Sequence, residues 1–198
     1  MNKTINQQIK FISRNPFVYF ANKRFLSAIS YLVRLSGAKQ VLDCGCGEGI
    51  VAKVLLEKNM PLTFCGFDID QKSLKIAKTI NPKARFGYGS IYKIPYANRS
   101  FPLVLCTEVL EHLKSPKKAL AELREVTSKF AIISVPCEPF FRLSNILRLK
   151  YLKKFGSTPG HINHWTISSF KKLLEPNFII VKETYPFPWM IFLVKIRK

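Results

Sequence analysis

The sequence predicts an α/β fold built on a doubly wound, mostly parallel sheet. Two observations support this prediction. Short apolar runs alternate with helical patterns from residue 39 onward, and the last two apolar runs are separated only by a short proline-containing turn. Alternation of strand and helix is typical of parallel sheets covered on both faces. Strands joined by a short turn pair antiparallel, so we expect an antiparallel hairpin at the C-terminal edge of the sheet.

The length and composition favour a single globular domain. The chain has 198 residues, of which 47% are hydrophobic and 22% are charged. This is enough for one core but too little for two domains of ordinary size, and neither a disordered nor a fibrous class fits. The longest apolar run, Trp189 to Val194, is far shorter than a membrane helix requires, so we expect no transmembrane segment.

The first two thirds of the chain supply a helical region and five strands. Apolar residues at mixed three- and four-residue spacings predict one or two amphipathic helices within residues 9–35, ending at Gly37. Strands are then predicted at Gln40–Asp43, Thr63–Asp68, Ala84–Gly87, Leu103–Thr107 and Phe130–Val135. The helices between them are predicted at Gly49–Glu57, Ser73–Lys78 and Lys117–Val126.

The alternation lapses after Pro136 and resumes near the C-terminus. Phe140–Phe155 combines five basic residues with aromatic and leucine positions, which predicts a basic amphipathic helix. A helix at Ile167–Leu174 follows, and strands at Phe178–Tyr185 and Met190–Lys195 are expected to close the sheet.

The chain is strongly basic, with 32 Lys and Arg against 12 Asp and Glu and a formal net charge of +20. A field of this strength attracts polyanions such as RNA or an anionic membrane surface. A general compositional bias toward lysine would produce the same charge, so both explanations stay open. The charge narrows the class of partner without identifying a reaction.

The cysteines indicate a reducing environment. Their number is odd, and most fall in or beside the predicted strand ends: Cys44, Cys46, Cys65, Cys106 and Cys137. Free thiols in buried strands favour the cytoplasm over an oxidising compartment. The N-terminal sequence MNKTINQQIKF lacks the apolar stretch of a signal peptide, so we expect a cytoplasmic protein.

A glycine-rich turn follows the first predicted strand. The residues from Val41 to Gly49 form a strand, a turn with three glycines and the start of a helix, which lets the backbone pass close to a ligand. Asp68 ends the second strand nineteen residues after Gly49, where a carboxylate reaches ribose hydroxyls. Asp70 is predicted to cap the next helix.

The glycine spacing selects the class of ligand. The third glycine comes two residues after the second, unlike the dinucleotide-binding pattern, and no Lys-Ser or Lys-Thr follows as in a phosphate-binding loop for triphosphates. A small adenosine-bearing ligand without a pyrophosphate fits this pattern better.

Four segments in order resemble the motif set of class I S-adenosylmethionine-dependent methyltransferases. They are Asp43–Gly49, Gly66–Asp70, Gly89–Tyr96 with Ser100–Phe101, and Val104–Leu113, so the resemblance extends over residues 39–113. It implies a Rossmann-like sheet of seven strands with the last strand inserted antiparallel. It also implies S-adenosylmethionine as the cofactor.

The resemblance assigns roles to the cofactor residues. Asp43 and the backbone around Gly45 and Gly47 would hold the methionine end of the cofactor, and Asp68 the ribose. Around the adenine, Ile69 would pack on the ring, and Ser90, where the family often has an acidic residue, would hydrogen-bond together with the Ile91 amide. The predicted cofactor-binding residues are Asp43, Gly45, Cys46, Gly47, Gly49, Asp68, Ile69, Ser90, Ile91, Cys106 and Thr107.

The candidate catalytic residues are Glu108, His161 and His164. Glu108 follows Cys106 and Thr107 at the carboxyl end of the fourth strand, where it either orients the acceptor or starts a helical turn. His161 and His164 lie in a loop with an aromatic residue, a suitable place for a general base. Small-molecule O-methyltransferases of the quinone-pathway type have similar His-bearing segments.

His112 and the possible metal ligands complete the set of candidate residues. His112 is interpreted as a packing or capping residue in preference to a catalytic one. With three histidines and no Cys-x-x-Cys motif, we predict no metal.

These patterns predict one methyltransferase domain over residues 1–198. Its parts are an N-terminal helical cap (1–38), a cofactor-binding core (39–135), an acceptor-side insertion or lid (136–166), and a late helix with the closing hairpin (167–198). The favoured acceptor is oxygen in a small or lipid-like molecule. An RNA methyltransferase and a non-catalytic module that binds the cofactor or a polyanion stay open as alternatives.

Overall fold

The computed structural model describes residues 15–147 and 160–197. The helices are α1 (Pro16–Ser36), α2 (Ile50–Glu57), α3 (Gln71–Ile80), α4 (Pro116–Val126), α5 (Phe140–Leu147) and α6 (Ile167–Leu174). The strands are β1 (Gln40–Cys44), β2 (Thr63–Asp68), β3 (Arg85–Tyr88), β4 (Phe101–Thr107), β5 (Thr127–Pro136), β6 (Phe178–Thr184) and β7 (Trp189–Ile196). A 3-10 turn, Leu110–His112, follows β4.

The strands form one seven-stranded sheet in the order β3-β2-β1-β4-β5-β7-β6. The first five strands are parallel, and β7 runs antiparallel to both β5 and β6. The predicted α/β class, the mostly parallel sheet and the antiparallel C-terminal hairpin are confirmed. The sheet is covered on both faces: α4 and α6 contribute to one buried cluster, and α1, α2 and α3 to the other.

Helix α1 is a single helix with well-defined ends. The Asn15 side chain accepts hydrogen bonds from the Phe17 and Val18 amides, Pro16 occupies the first turn, and Gly37 ends the helix with φ 65°. Gly37 was predicted as this end. Residues 9–14 of the predicted helical segment lie outside the described residues, as do residues 148–159 of the predicted Phe140–Phe155 helix.

Most predicted boundaries agree with the structure to within two residues, and β5 is the largest exception. It begins three residues earlier than predicted because α4 passes into it without a loop. The Thr127 hydroxyl donates to the Leu123 carbonyl at 2.5 Å, which satisfies the last turn of α4 while Thr127 already pairs with Phe101 of β4. Among the described residues, no helix is long and apolar enough to cross a membrane.

The topology brings four loops to the same edge of the sheet. The chain order reverses between β1 and its neighbours β2 and β4, and a crevice at the carboxyl ends of the strands is the usual ligand position at such a switch point. The loops that follow β1, β2, β3 and β4 all lie at this edge, and they carry the glycine turn, Asp68, Ser90 and Glu108.

Asn81 ties the glycine turn to α3. Its buried side-chain amide donates to the carbonyls of Gly49 (2.9 Å) and Ala77 (3.2 Å). We expect Asn81→Ala to lower the free energy of unfolding by about 1 to 3 kcal/mol because it removes buried hydrogen bonds. Asn98→Ala removes an exposed amide that donates to Glu125, and it should change stability by less than about 0.5 kcal/mol. Urea denaturation measures both, and equal effects would contradict the assignment.

Candidate active site

A cavity of about 490 Å³ opens at the carboxyl ends of β1, β2 and β4. This volume is in the range of small-molecule and cofactor sites. The side chains and backbone of its wall come from all four loops at this edge of the sheet. The lining residues include Asp43, Gly45, Cys46, Gly47, Asp68, Ile69, Ser90, Ile91, Tyr92, Thr107, Glu108, Val109 and His112.

The glycine turn is held against the end of β2. The Gly45 and Cys46 amides donate to the Phe67 carbonyl at 2.8 and 3.0 Å. Gly45 has φ 80°, and a Cβ atom there would lie 2.5 Å from the Val109 side chain. A side chain at this position would therefore be strained and would collide with the wall of the cavity, so the turn requires glycine.

Asp68 is fixed at the cavity wall by two backbone amides. Its Oδ2 accepts from the Gly47 amide and its Oδ1 from the Asp70 amide, each at 2.8 Å. A carboxylate has about four acceptor sites, so both oxygens can also accept from ligand hydroxyls. Asp70 caps α3, as predicted, by accepting from Lys72 and Ser73, and these hydrogen bonds lower its pKa.

Asp43 is a buried carboxylate that needs a cationic partner. Only 1% of the residue is exposed, and its Oδ1, on the side chain that lines the cavity, has no hydrogen-bond partner. Burial, together with the nearby Asp68 carboxylate, raises the pKa of Asp43 to about 7. Buried polar groups are normally satisfied, so a ligand ammonium group at this end of the cavity would complete the site.

Another part of the cavity wall suits an adenine ring. Ile69 lies on the rim with 67% of its surface exposed, which offers an apolar surface to a planar group. The Ser90 hydroxyl accepts from the Tyr92 amide and can still donate its own proton. The site therefore fits an adenosine that carries a positively charged amino-acid end.

Comparisons with known proteins agree with this geometry. Residues 42–134 match the family model described as "Methyltransferase domain". A ubiquinone biosynthesis O-methyltransferase of Neisseria meningitidis is 29% identical over 147 residues, which cover 70% of this chain and 58% of that protein. The magnesium protoporphyrin IX methyltransferase of Synechocystis PCC 6803, solved with bound SAH, superposes with a TM-score of 0.72 at 17% identity, covering 93% of this chain and 89% of that one. These findings support a class I S-adenosylmethionine-dependent methyltransferase.

One further solved structure and one further relative resemble the chain. A protein from Pyrococcus horikoshii OT3 superposes with a TM-score of 0.72 at 16% identity, covering all of both chains. A ubiquinone biosynthesis O-methyltransferase of Idiomarina loihiensis is 34% identical over 84 residues, or 40% of this chain and 34% of that protein. The chain thus spans less than two thirds of the length of either curated relative. S-adenosylmethionine is the cofactor of this family, and the residues of the cavity fit it.

The structure brings most of the predicted cofactor residues to the cavity. Nine of them line it: Asp43, Gly45, Cys46, Gly47, Asp68, Ile69, Ser90, Ile91 and Thr107. Gly49 and Cys106 are not among the lining residues. Gly49 precedes α2 with φ 74° beside Asn81, and Cys106 is fully buried in β4. Their direct contact with the cofactor stays a prediction.

Glu108 lies on the cavity wall in an unusual backbone conformation. Its φ is 58°, which is uncommon for a residue other than glycine. Its Oε2 accepts from the Trp189 indole at 2.5 Å and its Oε1 from the Ser134 hydroxyl at 3.2 Å. Burial raises the pKa of Glu108, and the two donors partly offset this rise. The 3-10 turn begins at Leu110, so Glu108 precedes it.

The two candidate histidines occupy different environments. His161 stacks on Phe141 with ring centroids 5.5 Å apart and meets the edge of His112 at 4.8 Å. Burial and the neighbouring imidazoles lower the pKa of His161 to about 4, so it is neutral at pH 7. The exposed His164 has its Nδ1 3.3 Å from a Glu138 carboxylate oxygen. Neither His161 nor His164 is among the residues that line the cavity.

The sequence favoured a packing or capping role for His112 over a catalytic one. The structure shows an exposed imidazole that lines the cavity and whose Nδ1 lies 3.0 Å from the Gly160 carbonyl oxygen. Ligand atoms of Glu111, His112 and His161 all lie within 4.8 Å of one another. Among the described residues, this group has the chemistry to hold a metal ion, so the absence of a metal stays a prediction.

Proposed function

We propose that this chain transfers a methyl group from S-adenosylmethionine to an oxygen of a small or lipid-like acceptor by in-line displacement. The proposal rests on three carboxylates that line one cavity. Asp43 and Asp68 provide carboxylates for the cofactor, and Glu108 provides a third carboxylate further along the wall. The relatives named as ubiquinone biosynthesis O-methyltransferases favour oxygen as the methylated atom.

The cofactor-side residues bind and orient. When bound, S-adenosylmethionine supplies an electrophilic methyl group. Asp43 would pair with the ammonium group, and Asp68 would accept hydrogen bonds from the ribose hydroxyls. Ile69 and Ser90 would hold the adenine. Methyl transfer needs alignment and exclusion of water more than it needs a protein nucleophile.

Glu108 is the candidate of choice for the general base. An acceptor hydroxyl must lose its proton as the new bond forms, and a base with a pKa near the working pH removes it best. Burial raises the pKa of Glu108 toward this range, and Trp189 and Ser134 hold its carboxylate in place. His161 is neutral and touches His112, so it is the second candidate. The contact of His164 with Glu138 favours a structural role.

Cofactor binding and turnover test the proposal separately. Calorimetry should show binding of S-adenosylmethionine, and Asp68→Asn should weaken it by roughly tenfold to a hundredfold because hydrogen bonds to a charged acceptor are lost. Glu57→Gln, at an exposed carboxylate that does not line the cavity, is the control and should bind like the parent. No binding by the parent would overturn the proposal.

Labelled cofactor identifies the acceptor class. The protein is incubated with fractions of small molecules, lipids and RNA, and the label is followed into each fraction. Label in an alkali-stable ether of a small or lipid-like molecule is the expected result. Label in RNA would favour the alternative function, and cofactor binding without turnover on any fraction would favour a non-catalytic module.

A further inference from the structure

Helix α1 buries one face and leaves an aromatic, basic face exposed. Phe25, Ile29 and Leu32 are buried in the core. The exposed large apolar residues of the helix are Phe17, Tyr19, Phe20, Tyr31 and Leu35, and Phe20 has 58% of its surface exposed. The helix contains three basic residues, Lys23, Arg24 and Arg34, and no acidic residue. Exposed aromatic residues interleaved with lysine and arginine suit the headgroup level of an anionic membrane.

The exposed aromatic side chains continue beyond α1. Phe187, in the connection between β6 and β7, meets the ring of Phe17 edge to face at 6.3 Å. It also meets Phe140, the first residue of α5, at 6.4 Å. All three rings are roughly half exposed. We call Phe17, Phe20, Phe140 and Phe187 the aromatic surface; contiguous exposed patches of this kind mark interaction sites.

A basic groove lies beside the aromatic surface. It has a volume of about 420 Å³ and runs between α1 and the end of β6, with Lys23 and Arg24 in its wall. The Thr184 hydroxyl oxygen, also in the wall, is buried without a hydrogen-bond partner. The neighbouring carboxylate of Glu183 is already bonded to Lys171 at 2.8 Å. The groove therefore offers two cations and a hydroxyl to an anionic group such as a phosphate.

We propose that the aromatic surface and the basic groove dock this protein on an anionic membrane. Aromatic side chains enter the level of the lipid headgroups, and lysine and arginine beside them bind anionic lipids. The net charge of +20 adds long-range attraction to the same surface. Bases of single-stranded RNA stack on the faces of separate exposed rings. Phe17, Phe140 and Phe187 instead pack edge to face on one another and form one apolar patch, which suits a bilayer better.

Docking through this surface also has a consequence for the source of the methyl acceptor. This extension rests on the proposed function. Phe141, next to Phe140 of the aromatic surface, packs against Trp189 with ring centroids 6.3 Å apart. Trp189 donates to Glu108 in the cavity wall. The Phe141–Trp189 and Trp189–Glu108 contacts thus connect the neighbour of the aromatic surface to the proposed base. This proximity favours an acceptor that the protein takes up from the bilayer, which is a lipid-like molecule.

Vesicle flotation with the full chain tests the docking. The protein should float with vesicles of phosphatidylcholine and phosphatidylglycerol and remain behind with phosphatidylcholine alone. The variant Phe17→Ser/Phe20→Ser/Phe187→Ser and the variant Lys23→Gln/Arg24→Gln should each lose roughly tenfold or more in affinity. Phe20→Ser alone, at a mostly exposed position, should show a smaller loss in the same direction without risk to folding.

Two matched controls lie away from the aromatic surface and the basic groove. Tyr88→Ser removes an aromatic side chain that is 66% exposed on β3. Lys117→Gln/Lys118→Gln removes two exposed charges from α4, on the opposite face of the sheet. Both should bind vesicles like the parent. Equal losses in the controls, absence of vesicle binding, or binding to single-stranded RNA but not to vesicles would each overturn the docking.

Transfer of label from the cofactor to an acceptor dissolved in the vesicles tests the extension to the acceptor. The docking variants should lose this transfer while they keep cofactor binding. Loss of cofactor binding in the parent would contradict the proposed function and leave the vesicle result unchanged, so the two failures are distinguishable. Equal transfer to membrane-bound and water-dissolved acceptor would overturn the extension.

Discussion

Replacing Asp43 by Asn is expected to weaken binding of S-adenosylmethionine by roughly tenfold to a hundredfold. The same change should make the ligand-free protein more stable above pH 7. Asp43 is buried, and one of its carboxylate oxygens has no partner until a cation binds. Asparagine has the same shape without the charge, so it removes both the attraction for the ammonium group and the cost of burying an unpaired carboxylate.

The sign of the pH dependence follows from the direction of the pKa shift. Folding raises the pKa of Asp43 from 3.8 to about 7, so between these values the folded state holds a proton that the unfolded state has released. The contribution of this group is therefore present at low pH, falls by up to about 1.4 kcal/mol per pH unit, and is lost as the pH rises through 7. The Asp43→Asn variant lacks this carboxyl group, so its free energy of unfolding should not show this decrease with pH.

Denaturation of the parent and Asp43→Asn at pH 5 and pH 8, without cofactor, measures the effect. The stability difference between variant and parent should be larger at pH 8. Asp70→Asn is the control because the pKa of Asp70 is lowered, so its carboxylate stabilises the folded state at high pH. An Asp43→Asn protein that is destabilised equally at both pH values, or that binds the cofactor like the parent, would contradict the assignment.

The cofactor half of the site was predictable because its signals are local. A strand, a glycine turn and a helix are contiguous in the sequence, and Asp68 ends the very next strand. Parallel strands place their carboxyl ends at one edge, so the order of the motifs alone brings Asp43, Asp68 and Ser90 together. Tyr92 and Val109 lie within the motif segments Gly89–Tyr96 and Val104–Leu113, yet neither was predicted to line the cavity. A motif does not state which side chains face the cavity.

The acceptor half depends on contacts that no local pattern encodes. Trp189 reaches Glu108 across 81 positions because β7 pairs antiparallel with β5 and sets Trp189 opposite Pro136. The contact of His161 with Phe141 likewise joins two segments separated in the chain. The sequence indicated that Glu108 and His161 were polar residues near the sheet edge. The register of the closing hairpin places Trp189 on Glu108, whereas the imidazoles that lower the pKa of His161 come from the turn after β4 and from its own loop.

Replacing Glu108 by Gln is expected to lower kcat by roughly 10²- to 10⁴-fold, the usual contribution of a general base. The affinity for S-adenosylmethionine should change little, because Gln keeps an acceptor for the Trp189 indole or the Ser134 hydroxyl. Single-turnover assays with the acceptor found in the labelling experiment measure the rate. His164→Gln is the control and should stay within a few-fold of the parent. Parent-like turnover by Glu108→Gln would remove this residue from the chemistry.

The pH profile separates a base from a merely structural carboxylate. If Glu108 takes the proton, the rate of the parent rises with pH through the raised pKa of this group and then levels off, while Glu108→Gln has no such rise. The Trp189 indole donates to Glu108 and lowers its pKa relative to burial alone. Trp189→Phe should therefore raise the pKa further and move the rising limb to higher pH. A structural role would lower the rate in Trp189→Phe at every pH and leave the shape of the profile unchanged.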